Sequence, residues 1–288
     1  MNKLISGYLI IGFLLGTMAV HGQAPAYSVE AIRGTEMQLR QLSDSIMKGS
    51  TDKVRQVSIA AFNPIFLDLL GKTTTFNYPF DSLPAVSKLT SPDGMMRIFT
   101  WILPSREHGT YEFFGIIQRV NSETRQLKVI GLIDFSKDTT GAETNELKPE
   151  TWYGAAYYEI VPKKINKKMY YFLLGWKGND RLTTQKVIDV VSFDQWDNVT
   201  FGLPVFVNEK NKKQWRMIFE YNAQAVMLLR YEKRKKMIVF DHLSPANASQ
   251  KGQFRYYGPD FTYDGLQFKK GFWNYKSNLD LRNSGDRK

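Results

Sequence analysis

The sequence predicts a mainly β protein: a large antiparallel meander, closed as a barrel or folded as a sandwich, preceded by a small N-terminal helical hairpin. Three observations carry this reading. After residue 86 the chain alternates short runs rich in aromatic and β-branched residues with polar turns containing Gly, Asn or Asp. The intervals between these runs leave no room for the helical crossovers that a parallel α/β sheet needs. Met169 to Leu174 is an unbroken apolar run with no polar alternation, which marks a strand covered on both faces.

Taken in order, Val29, Ile32, Leu39, Leu42 and Ile46 fall at helical spacing over 28–48, and Gly49 stands where a C-terminal cap belongs. A second helix is expected from Thr51 or Asp52, carrying Val54, Val57 and Ala61. Asn63-Pro64 then reads as an N-cap followed by proline at the first helical position, opening a short turn that Gly71 ends. One apolar stripe on two helices cannot stand alone, so residues 23–72 are expected to pack on the sheet of residues 73–288. The competing expectation is a helical arm for self-association. Pro79 and Pro84 mark the connector.

Strands are then expected at 86–90 and 96–101 around Pro92-Asp93-Gly94, at 110–120 and 127–135, and at 152–161. The central hairpin pairs 169–174 with 187–193 across Gly178-Asn179-Asp180. Further strands are expected at 200–207, 215–221, 225–231 and 237–241, with a last pair at 254–257 and 266–273. No repeat at a fixed period interrupts this order.

The first residues read as an export signal: Lys3, a mostly apolar stretch from Leu4 to Val20, and small residues placing cleavage before Gln23. The alternative, an uncleaved anchor, is opposed by Ser6, Gly7 and Gly16 within a stretch short for a span. No later stretch reaches the length of a membrane helix. The 288 residues contain no cysteine, which excludes disulfides and thiolate metal sites. A hydrophobic fraction of 43% lets a chain of this size rely on its core instead. Residues 1–22 hold one lysine and no acid, so their removal takes the formal charge from +11 to +10. The protein is therefore expected in the periplasm or outside the cell, with an anionic envelope polymer or a protein as partner and not nucleic acid.

The segments SPDGMMRIFTW, GTYEFFGIIQ, YYFLLGWKGNDRLTTQKVIDVVSF, MIVFDHLSP and YYGPDFTYDGLQFKKGFW resemble a family of uncharacterised exported bacterial proteins. The resemblance spans nearly the whole chain after the signal. It implies export and carries no activity, ligand or catalytic residue with it.

Candidate chemistry is sparse. Of three histidines, His21 leaves with the signal, and His108 and His242 alone make no multi-histidine metal centre. No HExxH, GxSxG, P-loop or dinucleotide fingerprint is present. The cluster Asp241-His242-Leu243-Ser244-Pro245, followed by Asp260 and Asp264, holds the ingredients of a hydrolase: an imidazole, a carboxylate and a hydroxyl. Adjacent strand residues point to opposite faces, so Asp260 or Asp264, not Asp241, would have to orient His242. The same residue types are also ordinary turn formers. Gly178-Asn179-Asp180 and Asp260 to Asp264 are candidate Ca²⁺ loops by residue type; neither matches an EF-hand, so no metal and no cofactor is expected.

Trp176, Tyr256, Tyr257, Tyr263, Trp273 and Tyr275 are candidates for a ligand platform, against the alternative that they fill the core. A simple up-and-down meander would also bring three basic turns, Lys177–Arg181, Asn208–Lys213 and Glu232–Lys236, to one rim. There Lys233, Arg234, Lys235 and Lys236 would face an anionic ligand, opposite the turn Lys163–Lys168. Lysines that merely keep sheet edges apart are the competing explanation. The leading expectation is a non-catalytic binding module, and the alternative a hydrolase using His242.

Overall fold

The structure is a computed structural model that describes residues 27–281; the expected signal segment at 1–22 lies outside the described residues. Helix α1 (Val29–Lys48) starts at Ser28, whose hydroxyl accepts the amide of Ala31 at 3.1 Å. Helix α2 (Asp52–Leu70) starts at Thr51, which accepts the amide of Val54 at 3.3 Å. The expected restart at Asn63-Pro64 does not occur, and α2 runs through it. Asn63 instead accepts a hydrogen bond from the Trp101 indole at 3.2 Å. Phe62 and Phe66, on either side of the proline, are fully buried against Trp101 with ring centroids 5.5 Å apart. Tertiary packing of that face outweighs the hydrogen bond that Pro64 cannot donate.

Among the described residues, fifteen strands follow. They are β1 (Ser87–Thr90), β2 (Met96–Ser105), β3 (Thr110–Val120), β4 (Leu127–Ile133), β5 (Ala156–Ile165), β6 (Lys168–Gly178), β7 (Thr183–Phe193) and β8 (Val199–Phe201). The rest are β9 (Phe206–Val207), β10 (Lys213–Gln214), β11 (Met217–Asn222), β12 (Leu229–Glu232), β13 (Met237–Pro245), β14 (Tyr257–Lys269) and β15 (Phe272–Lys276). They form three open sheets, so the barrel alternative falls. The first sheet has the order β1-β2-β3-β4, the second β11-β7-β6-β5 with β8 beside β7, and the third β10-β9-β15-β14-β13-β12.

The layers stack in a fixed order, and alternation along each strand sets it. Phe99, Trp101 and Ile116 of the first sheet pack on Phe62, Phe66 and Leu70 of the helices. Ile98, Phe113 and Ile117, on the other face, pack on Tyr171, Leu173, Val187 and Val191 of the second sheet. Phe172, Leu174, Ile188 and Val190 then meet Phe206, Ile238, Phe240, Leu266 and Trp273 of the third. The helical pair thus packs on the first sheet, and the second sheet is covered on both faces. Residues 171–174 are each at most 2% exposed.

The simple meander is overturned in two places. The expected strand at 200–207 is two short strands in different sheets, and β9 pairs with β15 in parallel. The expected pair 254–257 and 266–273 is also redrawn: 254–256 is a 3-10 turn, and β14 runs from Tyr257 through the Gly-Pro-Asp and Asp-Gly segments. The hairpin turn is Lys270-Gly271, where φ is +52° and +83°, a left-handed pair suited to a two-residue hairpin. Among the described residues no helix is long and apolar enough to cross a membrane.

Because Leu173 lies in the doubly covered layer, Leu173→Ala is expected to cost about 2–5 kcal/mol through lost burial and a residual cavity. Urea unfolding monitored by fluorescence measures this. An unchanged midpoint would mean that the layer on one side is not packed.

Candidate functional site

His242 lies on β13, opposite an irregular stretch of β14. Asp241 pairs with Tyr263 and Leu243 with Pro259, so residues 260–262 bulge out across from the imidazole. Asp241 accepts the amide of Leu228 at 2.7 Å and takes no part in holding the ring, as strand alternation requires. Asp264 holds it instead. Its Oδ2 lies 2.6 Å from His242 Nδ1, and the same oxygen accepts the hydroxyl of Tyr275. Oδ1 accepts the amide of Asn278 at 3.1 Å. Asp264 is buried at 2%, while the His242 side chain keeps 38% of its exposure. The hydrogen bond to Asp264, helped by the charges of Asp264, Asp260 and Glu209, raises the imidazole above its usual value against partial burial.

The arrangement fixes Nδ1 and leaves Nε2 to exchange a proton. Asp260 is close enough for its charge to act on His242, but its Oδ1 is engaged by the amide and hydroxyl of Thr262 at 3.1 and 2.7 Å. Ser244 hydrogen-bonds Asp260. The carboxylate–imidazole pair that a hydrolase needs is therefore assembled, whereas the hydroxyl is directed to the second carboxylate.

The two Ca²⁺ candidates resolve into turn chemistry. Asp180 Oδ1 accepts the amides of Leu182 and Thr183 at 2.7 and 2.8 Å, just as Asp260 serves its own bulge. Among the described residues no three His, Asp or Glu side chains gather into a metal-holding group.

The aromatic candidates divide. Trp273 is fully buried in the third sheet's core, edge-on to Phe172 at 5.4 Å. Tyr257 is half-buried, and its hydroxyl accepts the amide of Gly252 at 2.9 Å. Trp176 alone of the three lines a cavity. This cleft, about 210 Å³, is bounded by Tyr111, Trp176, Gly178, Asp180, Lys186, Tyr221 and Val226. The Tyr111 ring stands edge-on to Trp176 at 5.1 Å and lies where a Cβ on Gly178 would be, so only glycine admits it. His242 lines neither this cleft nor the smaller hollow beside Asp52 and Ser105.

The basic turns are regrouped. Lys177 is buried: its ammonium donates to Ser136 Oγ at 2.7 Å and Gly154 O at 3.0 Å and pairs with Asp134 at 3.7 Å. Burial pushes it down to about 8, despite the opposing charge of Asp134. Arg181 is bonded to the carbonyl of Glu107, beside the β2–β3 turn. Since β9 runs parallel to β15, the turn after it carries Lys210 and Lys212 away from the β14–β15 hairpin. Lys233, Arg234, Lys235 and Lys236 sit by that hairpin, because Met237 pairs with Gln267. The three turns expected on one rim therefore do not share it; the parallel β9–β15 pair breaks the alternation.

What does share that end is the turn placed opposite. A Cβ on Gly271 would touch Ile165, which brings the β5–β6 turn against the β14–β15 turn. Lys163 donates to the Tyr231 hydroxyl at 3.0 Å and stands over the rings of Phe268 and Trp273 at 5.6 and 5.5 Å. Lys164, Lys167, Lys168, Lys233, Arg234, Lys235, Lys236, Lys269 and Lys270 are all exposed here. Glu232, a nearby acid, is paired with Arg230 at 3.3 Å, and Lys235 donates to the carbonyl of Asp280 at 3.1 Å. The runs KKINKK, EKRKK and FKKG at strand ends are plain in the sequence, but only the register of β14 with its neighbours brings them together.

Because the folded state raises the His242 pKa, the pair's contribution to stability is fully present below about pH 6.5 and is lost as pH rises through the folded value. Unfolding midpoints of the protein and of His242→Asn across this window test it: the difference between the two is expected to shrink as pH rises. A difference independent of pH would mean that the hydrogen bond, not the charge, carries the effect. In comparisons with known proteins, no family model, no curated protein and no solved structure matches this chain.

Proposed function

We propose that the chain is a non-catalytic, exported binding module that holds an anionic polymer of the bacterial envelope at its basic end. The observation that carries this reading is the convergence of the β5–β6, β12–β13 and β14–β15 turns with their exposed cations, while Glu232 beside them is already paired with Arg230. Clustered charge of one sign raises the potential over the whole end and attracts phosphate or carboxylate groups. Export rests on the leader-like residues 1–22 of the sequence.

Binding of an acidic polysaccharide or of lipid A-type phosphates is expected to weaken roughly tenfold or more as salt rises from about 0.1 M to about 1 M, where screening shortens from about 10 to about 3 Å. Replacing Lys233, Arg234, Lys235 and Lys236 with Ser is expected to abolish it without moving the thermal midpoint by more than a few degrees. Binding by that variant at the original affinity would remove the basic end from the function.

A second reading, a hydrolase, is favoured by the His242–Asp264 pair at 2.6 Å. It is tested by hydrolysis of p-nitrophenyl acetate. On that reading turnover falls with His242→Ala and with Asp264→Asn. Turnover no greater in the protein than in either variant leaves the binding module standing.

A further inference from the structure

The cleft at the far end of β6 carries a different kind of cation from those on the turns. Lys186 pairs with Trp176 across β6 and β7 and with Phe219 across β7 and β11. Its side chain is half-buried among these strands, with the ammonium 4.5 Å from the centre of the Tyr158 ring. Among the described residues it has no hydrogen bond and no carboxylate partner. Burial lowers its pKa, and no neighbouring charge acts to restore it.

An unpaired, partly desolvated cation is an unfavourable arrangement for a purely structural residue. Lys177, one position along on the neighbouring strand, makes the contrast: it is more buried and is given Asp134, Ser136 and a carbonyl. Lys186 is given aromatic rings and an opening. The opening is about 210 Å³, below the roughly 300–1,000 Å³ of clefts that enclose drug-sized molecules, so it admits one ring and not a long chain. Trp176 and Tyr111 supply apolar walls. Asp180 stands at the rim; its Oδ1 is taken by its own turn, which leaves Oδ2 to accept a hydroxyl. A ligand that matches all three has a ring with an apolar face, a negative group for the ammonium, and hydroxyls.

We propose that this cleft is a binding subsite for a carboxylate-bearing sugar ring, with Lys186 receiving the carboxylate and Trp176 the ring face. The subsite is independent of the basic end. The β5–β6 turn precedes Lys168 at one end of β6, and Trp176 and Gly178 close the other. A simple aromatic acid would satisfy Lys186 and Trp176 but would leave Asp180 without a donor.

Isothermal titration of the purified protein with D-glucuronate, D-glucose and acetate separates the contributions. Glucuronate is expected to bind, glucose at least about tenfold more weakly, and acetate more weakly still, since a charge-assisted hydrogen bond corresponds to roughly one to two tenfold steps. Lys186→Met keeps the hydrocarbon stem and is expected to bring glucuronate down to the affinity of glucose, whereas Lys186→Arg retains the preference. Trp176→Leu is expected to weaken both sugars together. The variant with Ser at 233–236 is expected to keep its glucuronate affinity, so failure of this site and failure of the basic end are told apart. Equal binding of glucose and glucuronate, unchanged binding by Lys186→Met, acetate binding as well as glucuronate, or no binding of glucuronate would each overturn the proposal.

Discussion

The pair formed by Asp189 and Arg216 lies at the centre of the stack, and the arrangement of the layers depends on it. Both side chains are wholly without solvent contact, and Arg216 Nε donates to Asp189 Oδ1 at 3.2 Å. Removing two such charges from water costs several kcal/mol per ion unless further hydrogen bonds complete them. Tyr157 donates to Asp189 Oδ2 at 3.4 Å, and Trp152 in turn donates to Tyr157 at 3.0 Å. Arg216 Nη1 donates to the carbonyls of Ala142 and Asn145. These partners come from β5, β7, the approach to β11 and the long segment between β4 and β5. One ion pair therefore sets where that segment crosses the second sheet. Gly202 contributes by its missing side chain, since a Cβ there would stand 2.9 Å from Arg216 Nη2.

A sheet covered on both faces has little surface to give to function. Its strands meet solvent at their ends and along the outer edge of β5, and both proposed binding regions are found at the ends. At one end the β5–β6 turn joins the basic cluster. At the other, the end of β6 and the start of β7 open between Tyr111 and the loop that carries Val226. The His242–Asp264 pair sits apart from both, on the third sheet, where one strand bulges past another. Its chemistry is that of a well-held imidazole on an open surface.

The central strand was legible from sequence because six consecutive apolar residues have no solvated alternative. The helices were legible from spacing and caps, except at Asn63-Pro64, where a local signal for a new helix start yields to Phe62 and Phe66 entering the same core. Gly258-Pro259-Asp260 and Asp264-Gly265 signal turns by residue type, yet pairing with β13 on both sides of the bulge holds them in one strand. The link from His242 to Asp264 could be anticipated from alternation, which removes Asp241. Lys186 could not: a lysine beside Gln185 at the start of a strand looks like any solvated residue until the third dimension encloses it. The same holds for Asp189 and Arg216, which no local pattern connects. The basic end was misassembled because a parallel pairing of two-residue strands, which leaves no trace in the sequence pattern, turns the chain after β9 away from it.

Two of the three hairpin turns of the basic end are of one kind. Asn166 and Lys167, like Lys270 and Gly271, are pairs of left-handed residues closing a strand directly onto its neighbour. Such turns leave the backbone no slack, so the origins of their lysine side chains are fixed to the strand lattice. A polyanion docking there, as proposed, would restrict side-chain rotamers and not a floppy loop, which would keep the entropic cost of binding low. On the proposed reading the lattice would also act as a ruler. Charges set at strand intervals favour a polymer whose own charges repeat at a commensurate distance, so recognition can depend on spacing as well as on total charge.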